Sequence, residues 1–158
     1  MLRGSIVALI TPFDERGKID IPALEKLIHW HLESGTDGLV LCGSTGEGSA
    51  LSKEEKLLVF QTAKKIAGGK IPLIAATGTN VTEESVLLTG EVKKIGMDAC
   101  LVIVPYYSRP TPEGCLLHFA EIAKVGLPML VYHHPGRTGI KLDAEELSPI
   151  CKLPGVIG

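Results

Sequence analysis

Residues 38–48 read GLVLCGSTGEG, and residues 51–55 continue LSKEE. Gly38–Cys42 is a short apolar run without polar alternation, which suits a strand buried on both faces of a parallel sheet. Gly43–Gly48 then combines three glycines with the hydroxyls of Ser44 and Thr45. Ser52-Lys-Glu-Glu55 has the spacing of a capping box, in which the serine side chain and the glutamate side chain each satisfy a backbone N–H at a helix start. Strand, polar loop and capped helix in that order are the unit of a parallel α/β fold.

The unit recurs along the chain. Strands are expected at Ser5–Ile10, Gly38–Cys42, Ile71–Ala75, Ala99–Val104 and Leu127–Tyr132, and Gly155–Ile157 opens a sixth; their starts lie 28 to 33 residues apart. Asp20 caps the first helix, with Ile21, Leu24, Leu27, Ile28 and Leu32 as its buried stripe. Thr82 caps the third, with Glu83 and Glu84 against the dipole of its first turn. Thr111-Pro112 opens the fourth with proline at the first helical position, and Asp143-Ala-Glu-Glu146 opens the fifth. Gly35, Gly68, Gly96 and Gly126 close four of the five. The order is (βα)5β with all strands parallel. Two architectures fit it: an open doubly wound sheet, or part of a (β/α)8 barrel. The 158 residues suffice for the first. A whole barrel takes about 250.

Composition narrows the function. A net charge of −2 with no basic excess argues against a nucleic-acid partner. The longest apolar runs, such as Cys100–Pro105, fall far short of the roughly 18 residues a membrane helix needs. The opening MLRGSIVALITPFDE breaks at Pro12 and lacks a small-residue cleavage pattern, so it reads as a strand and not as a signal peptide. The cysteines at 42, 100, 115 and 151 form no CxxC pair and read as free thiols in a reducing cytoplasm. His133 and His134 point opposite ways on extended backbone, and His29 and His31 face differently on a helix, so no metal site is expected.

The loops after the strands hold the chemistry: Thr11–Phe13, Gly43–Gly48, Ala76–Asn80, Pro105–Pro110 and Tyr132–Gly139. Those before the strands are short and plain. Parallel α/β folds place their sites at the carboxyl ends of the strands. In Gly43–Gly48 the glycines let backbone N–H groups approach a small carboxylate or phosphate; a tight βα turn with capping hydroxyls accounts for the same residues. Tyr106-Tyr107 offers phenols for proton transfer or ordinary packing. Tyr132 ends a strand, which points its hydroxyl into a site, and Arg137 has the fork to hold a carboxylate or to make a surface ion pair.

Five stretches in register, GSIVALITPF, GSTGE, TGTN, PYYSRPTPEG and YHHPGRTG, resemble the dihydrodipicolinate synthase / N-acetylneuraminate lyase family, Schiff-base aldolase-type (β/α)8 barrels that use no cofactor. The resemblance spans the chain and implies one incomplete barrel domain over residues 1–158: the first (βα)5 units and the start of strand six. Arg137 and the tyrosine pair are similar to the synthase branch, which condenses pyruvate with aspartate semialdehyde in lysine and diaminopimelate synthesis. Another 2-keto-acid aldolase of the family, or a non-catalytic half-barrel that pairs with a second chain, are the alternatives. The resemblance implies that Thr45 binds the pyruvate carboxylate, that Tyr132 is the acid/base, that Ser44 and Tyr107 complete its proton relay, with Tyr107 crossing from a neighbouring subunit of a homo-oligomer, and that Arg137 holds the carboxylate of the second substrate. Ser49, Asn80, Glu84 and Tyr106 match an effector site for lysine, with Lys53 and Lys56 in place of its histidines. Ser44 stands where threonine is more frequent, and His133 where asparagine is usual. The family's Schiff-base lysine follows GVIG by two residues, and the sequence ends at that GVIG. The 158-residue chain alone is therefore expected to be inactive, with open sheet edges and an uncovered apolar face that make it unstable or prone to associate.

Overall fold

A computed structural model describes residues 2–158. The chain falls into two compact units: one runs up to Ala76 and includes Lys94–Asp98, the other comprises Thr77–Lys93 and Ala99–Gly158.

The first unit holds β1 (Ile6–Ala8), α1 (Ile21–Glu33), β2 (Gly38–Leu41), α2 (Lys53–Ala67) and β3 (Leu73–Ala76). The strands pair in parallel, β1 on β2 and β2 on β3. Leu39, Leu41, Leu73, Ile74 and Ala75 are buried, as continuous apolar runs require. β1 departs from that pattern. It is three residues long, Ala8 is exposed, and Ile10 beyond it is 54% exposed. Asp20 accepts from Ala23 N at 2.9 Å, and α1 buries Leu24 and Ile28. His31 joins that buried face, with its Nδ1 2.9 Å from Thr36 Oγ1. The Ser52–Glu55 capping box is present in both directions. Its backbone bond from Ser52 holds the Glu55 carboxyl below the ordinary carboxylate range.

The second unit holds α3 (Thr82–Ile95), β4 (Ala99–Ile103), α4 (Pro112–Ala123), β5 (Met129–Tyr132), α5 (Pro135–Thr138) and α6 (Ala144–Cys151). β4 and β5 are parallel. Thr77 and Gly78, the first residues of this unit, both donate to Leu101 O of β4. Val156 bridges Met129 in parallel, and Ile157 N donates to Met129 O, which bears out the expected opening of strand six. Thr111 and Asp143 cap as expected. Thr82 does not. It is the first residue of α3, and its hydroxyl lies 2.9 Å from His118 Nδ1. The α3 entry is tied instead by Thr79 and Ser85: Val81 N donates to Thr79 Oγ1, and Thr79 N to Ser85 Oγ. Of the expected closing glycines, Gly35, Gly96 and Gly126 have positive φ; after α2 that geometry falls on Gly69, and Gly68 has φ −59°. α5 is a single turn that periodicity does not reveal.

The plain loops carry structure of their own. Asp37, just before β2, accepts from Ser5 N at 2.7 Å, and Asp98, just before β4, accepts from Leu73 N at 2.8 Å. A second device repeats with the helices. Lys64 of α2 donates to Gly96 O at the end of α3, and Lys93 of α3 donates to Val125 O at the end of α4. Each ammonium thus meets carbonyls left open at a helix C-terminus.

Candidate active site

In the first unit, Cys42 follows β2 in the left-handed region at φ 54° and turns the chain sharply into Gly43–Gly48. The turn is held from within. Gly48 N donates to Gly43 O, Glu47 N to Ser44 O, and Thr11 Oγ1 to Gly46 O at 2.7 Å. A Cβ on Gly46 would lie 2.7 Å from Leu9 O, and one on Gly48 would lie 1.7 Å from Cys42 O. These two glycines serve close backbone approach within the protein, so the tight-turn reading holds for them. Ser44 and Thr45 are different: both are exposed, and neither hydroxyl has a partner among the described residues. Ser49 is exposed on the same loop. Burial pushes the Cys42 thiol up to about 12, so it stays a protonated packing group.

The loop after β3 divides its work. Thr77 is fully buried, with its hydroxyl 2.8 Å from Thr89 Oγ1, and it also bonds the Cys100 thiol, which burial pushes up to about 12. Gly78 sits against β4, where a Cβ would be 2.5 Å from Ile103 N. Both are structural. Asn80 is half-buried, and Glu84 is exposed with an oxygen 3.5 Å from Thr79 Oγ1.

After β4, Tyr106 is half-buried, whereas Tyr107 is 90% exposed and adopts φ 68°. A bulky residue held in the left-handed region with its ring in solvent gains nothing from packing; strain of this kind collects at functional sites. Arg109, at φ 49°, lays its guanidinium over Gly139, whose own φ of 76° ends α5. The loops after β4 and β5 thus touch.

After β5, Tyr132 is half-buried, its ring 6.0 Å from the His134 ring at 65°. Pro135 starts α5, and Arg137 lies on that turn, exposed and with no partner for its guanidinium among the described residues. Thr138 is buried and donates to His134 O and Ile140 O. His133 Nε2 accepts from Leu142 N at 3.2 Å. Sequence reasoning marked this histidine without a role. Its signal lay in the buried Leu142 nine positions on, which spacing alone does not connect to it.

Among the described residues, no three His, Cys, Asp or Glu side chains gather as a metal site, and no helix is long and apolar enough to cross a membrane. Tyr132, Arg137 and Tyr107 occupy strand-end loops of the second unit, and Ser44 and Thr45 the corresponding loop of the first. Parallel strands alternating with helices, with the candidate residues on loops at the strands' carboxyl ends, are the arrangement of the first part of a (β/α)8 barrel.

Comparison with known proteins gives the particular family. The family model described as "Dihydrodipicolinate synthetase family" matches residues 1–158, and the chain belongs to that family. It is 44% identical to the 4-hydroxy-tetrahydrodipicolinate synthase of Thermodesulfovibrio yellowstonii, a match covering 100% of this chain and 54% of the relative. It is 46% identical to the enzyme of that name from Pseudomonas putida, with the same coverage. The chain thus spans about half the length of the curated relatives it matches. A dihydrodipicolinate synthase of Acinetobacter baumannii, solved in complex with pyruvate, superposes over 100% of this chain and 55% of its own at a TM-score of 0.97 and 42% identity. The synthase of Cyanidioschyzon merolae, solved with lysine bound, matches 99% of this chain and 54% of its own at 0.93 and 36%.

Proposed function

We propose that residues 1–158 form the N-terminal part, a single incomplete barrel domain, of a 4-hydroxy-tetrahydrodipicolinate synthase acting in the cytoplasm as a homo-oligomer. The reaction is the Schiff-base-dependent condensation of pyruvate with aspartate semialdehyde. A lysine amine displaces water from the pyruvate carbonyl, loss of a methyl proton gives an enamine, the enamine carbon attacks the aldehyde, and the second substrate's own amine then displaces the lysine from the imine carbon and closes the ring. Thr45 holds the pyruvate carboxylate with its hydroxyl and backbone. Tyr132 moves the protons, relayed through Ser44 and Tyr107. Arg137 forks onto the second substrate's carboxylate.

The observation that carries this reading is Arg137, an exposed guanidinium on a one-turn helix with no protein partner among the described residues. In a synthase assembled with its remaining strands, Arg137→Ala raises KM for aspartate semialdehyde about 10- to 100-fold, the size of one lost charge-assisted pair, and leaves KM for pyruvate unchanged. Unchanged values for both would overturn the reading.

The Schiff-base lysine is not among the twelve lysines of the sequence. All twelve lie in loops or helices, and Lys152, at the end of α6, precedes strand six. We place the nucleophile two positions beyond Gly158, so a polypeptide of these residues alone does not turn over. Ser49, Asn80, Glu84 and Tyr106 correspond to the lysine effector site. Lys53 and Lys56 add cations there, and like charges disfavour a cationic effector. Lysine inhibition is weak or absent on this reading, and a clear fall in activity at modest lysine would contradict it.

A further inference from the structure

We propose that His133 is a positioning residue for Arg137: as a neutral imidazole protonated on Nδ1, it closes the base of the loop that presents the guanidinium. The proposal rests on the role given above to Arg137. Residues 133–142 leave β5 and return to the cap of α6 at Asp143. Inside this excursion the hydrogen bonds of α5 are local, through Thr138 to His134 O and Ile140 O and through Gly139 N to Pro135 O, while Arg109 lies over Gly139. At its base one bond joins the two ends, Leu142 N to His133 Nε2 at 3.2 Å. Leu142 is 5% exposed, so an amide there without a partner carries a desolvation cost, and the imidazole meets it.

The acceptor role fixes the tautomer, since a ring nitrogen that accepts cannot carry the proton. Nδ1 then carries it, and that atom is buried with no partner among the described residues. A histidine oriented for packing alone would have no reason to accept from Leu142 while leaving its donor unmet. Without the brace the base of the loop opens, and α5 is left to the packing of Thr138 and the contact of Arg109 with Gly139.

Two measurements on the synthase assembled with its remaining strands, neither requiring turnover, test this. Nitrogen-15 shifts of the His133 ring report the Nδ1–H tautomer if the proposal holds, and the Nε2–H tautomer overturns it even if no variant folds. Hydrogen exchange at Leu142, read by mass spectrometry with fragmentation, quickens at least tenfold in His133→Ala. In His133→Gln, whose terminal oxygen reaches the place of Nε2, protection is kept while exchange in β4 stays unchanged in both variants. Equal protection at Leu142 in wild type and His133→Ala overturns the proposal. If both tests succeed while Arg137→Ala leaves KM unchanged, the brace stands and the role of Arg137 falls.

Discussion

His118 shows how one side chain sets a pH limit. It lies on the buried face of α4 at 5% exposure, with Nδ1 on Thr82 and Nε2 buried without a partner among the described residues. Burial pushes its pKa from 6.5 down to about 4. The folded state therefore binds fewer protons than the unfolded state between these values, and stability present above pH 6.5 is lost as pH falls toward 4. The shift corresponds to on the order of 3 kcal/mol. Denaturant unfolding from pH 7 to 4.5, a range mostly above carboxylate titration, is expected to show this decline in the wild type and a flatter profile in His118→Leu. Glycines give a sharper contrast. Gly48→Ala puts a Cβ onto Cys42 O and costs more than about 3 kcal/mol. Gly90→Ala, inside α3 with nothing within 4 Å of the new methyl, gains about 0.5–1 kcal/mol. Urea midpoints of the two variants moving the same way would contradict the account of these positions.

Elements were legible where the chain carries its own punctuation. Asp20, Ser52, Thr111 and Asp143 cap as their spacing says, because an N-cap needs only a side-chain oxygen and an amide two or three residues on. What spacing could not show depends on distant partners. Thr82 turns from its own helix to His118, thirty-six positions away. α5 is too short for a period, and Gly46 and Gly48 answer to the backbone of Leu9 and Cys42. Of the candidate site, the placement of the polar loops after the strands could be read from the sequence, while the His133–Leu142 bond and the left-handed backbone of Cys42 and Tyr107 could not. The repeated braces make a prediction at this scale. Asp98→Ala removes the acceptor of Leu73 N and is expected to cost about 1–2 kcal/mol. Lys64→Met and Lys93→Met, exchanging exposed bonds to helix-end carbonyls, cost about 0.5 kcal/mol each and add in the double variant. Thermal or urea unfolding of the set checks the order; a lysine variant costing more than Asp98→Ala would contradict it.

For the molecule as a whole, the candidate residues fall in both units. The first presents Ser44 and Thr45 with open hydroxyls, and the second presents Tyr132, Tyr107 and Arg137. In the proposed reaction these groups bind carboxylates and move protons, and none is the amine that forms a Schiff base. A lysine acts as that nucleophile when desolvation holds its pKa down, and the twelve lysines present are helix and loop residues. The most direct test is intact mass after incubation with pyruvate and borohydride, made on this chain and on a version extended through strand six and the rest of a barrel. The account predicts an unchanged mass for the 158 residues and the gain of one reduced pyruvate, on a lysine beyond Gly158, for the longer protein. An adduct on any of the twelve lysines, or no adduct on the longer protein, would contradict it.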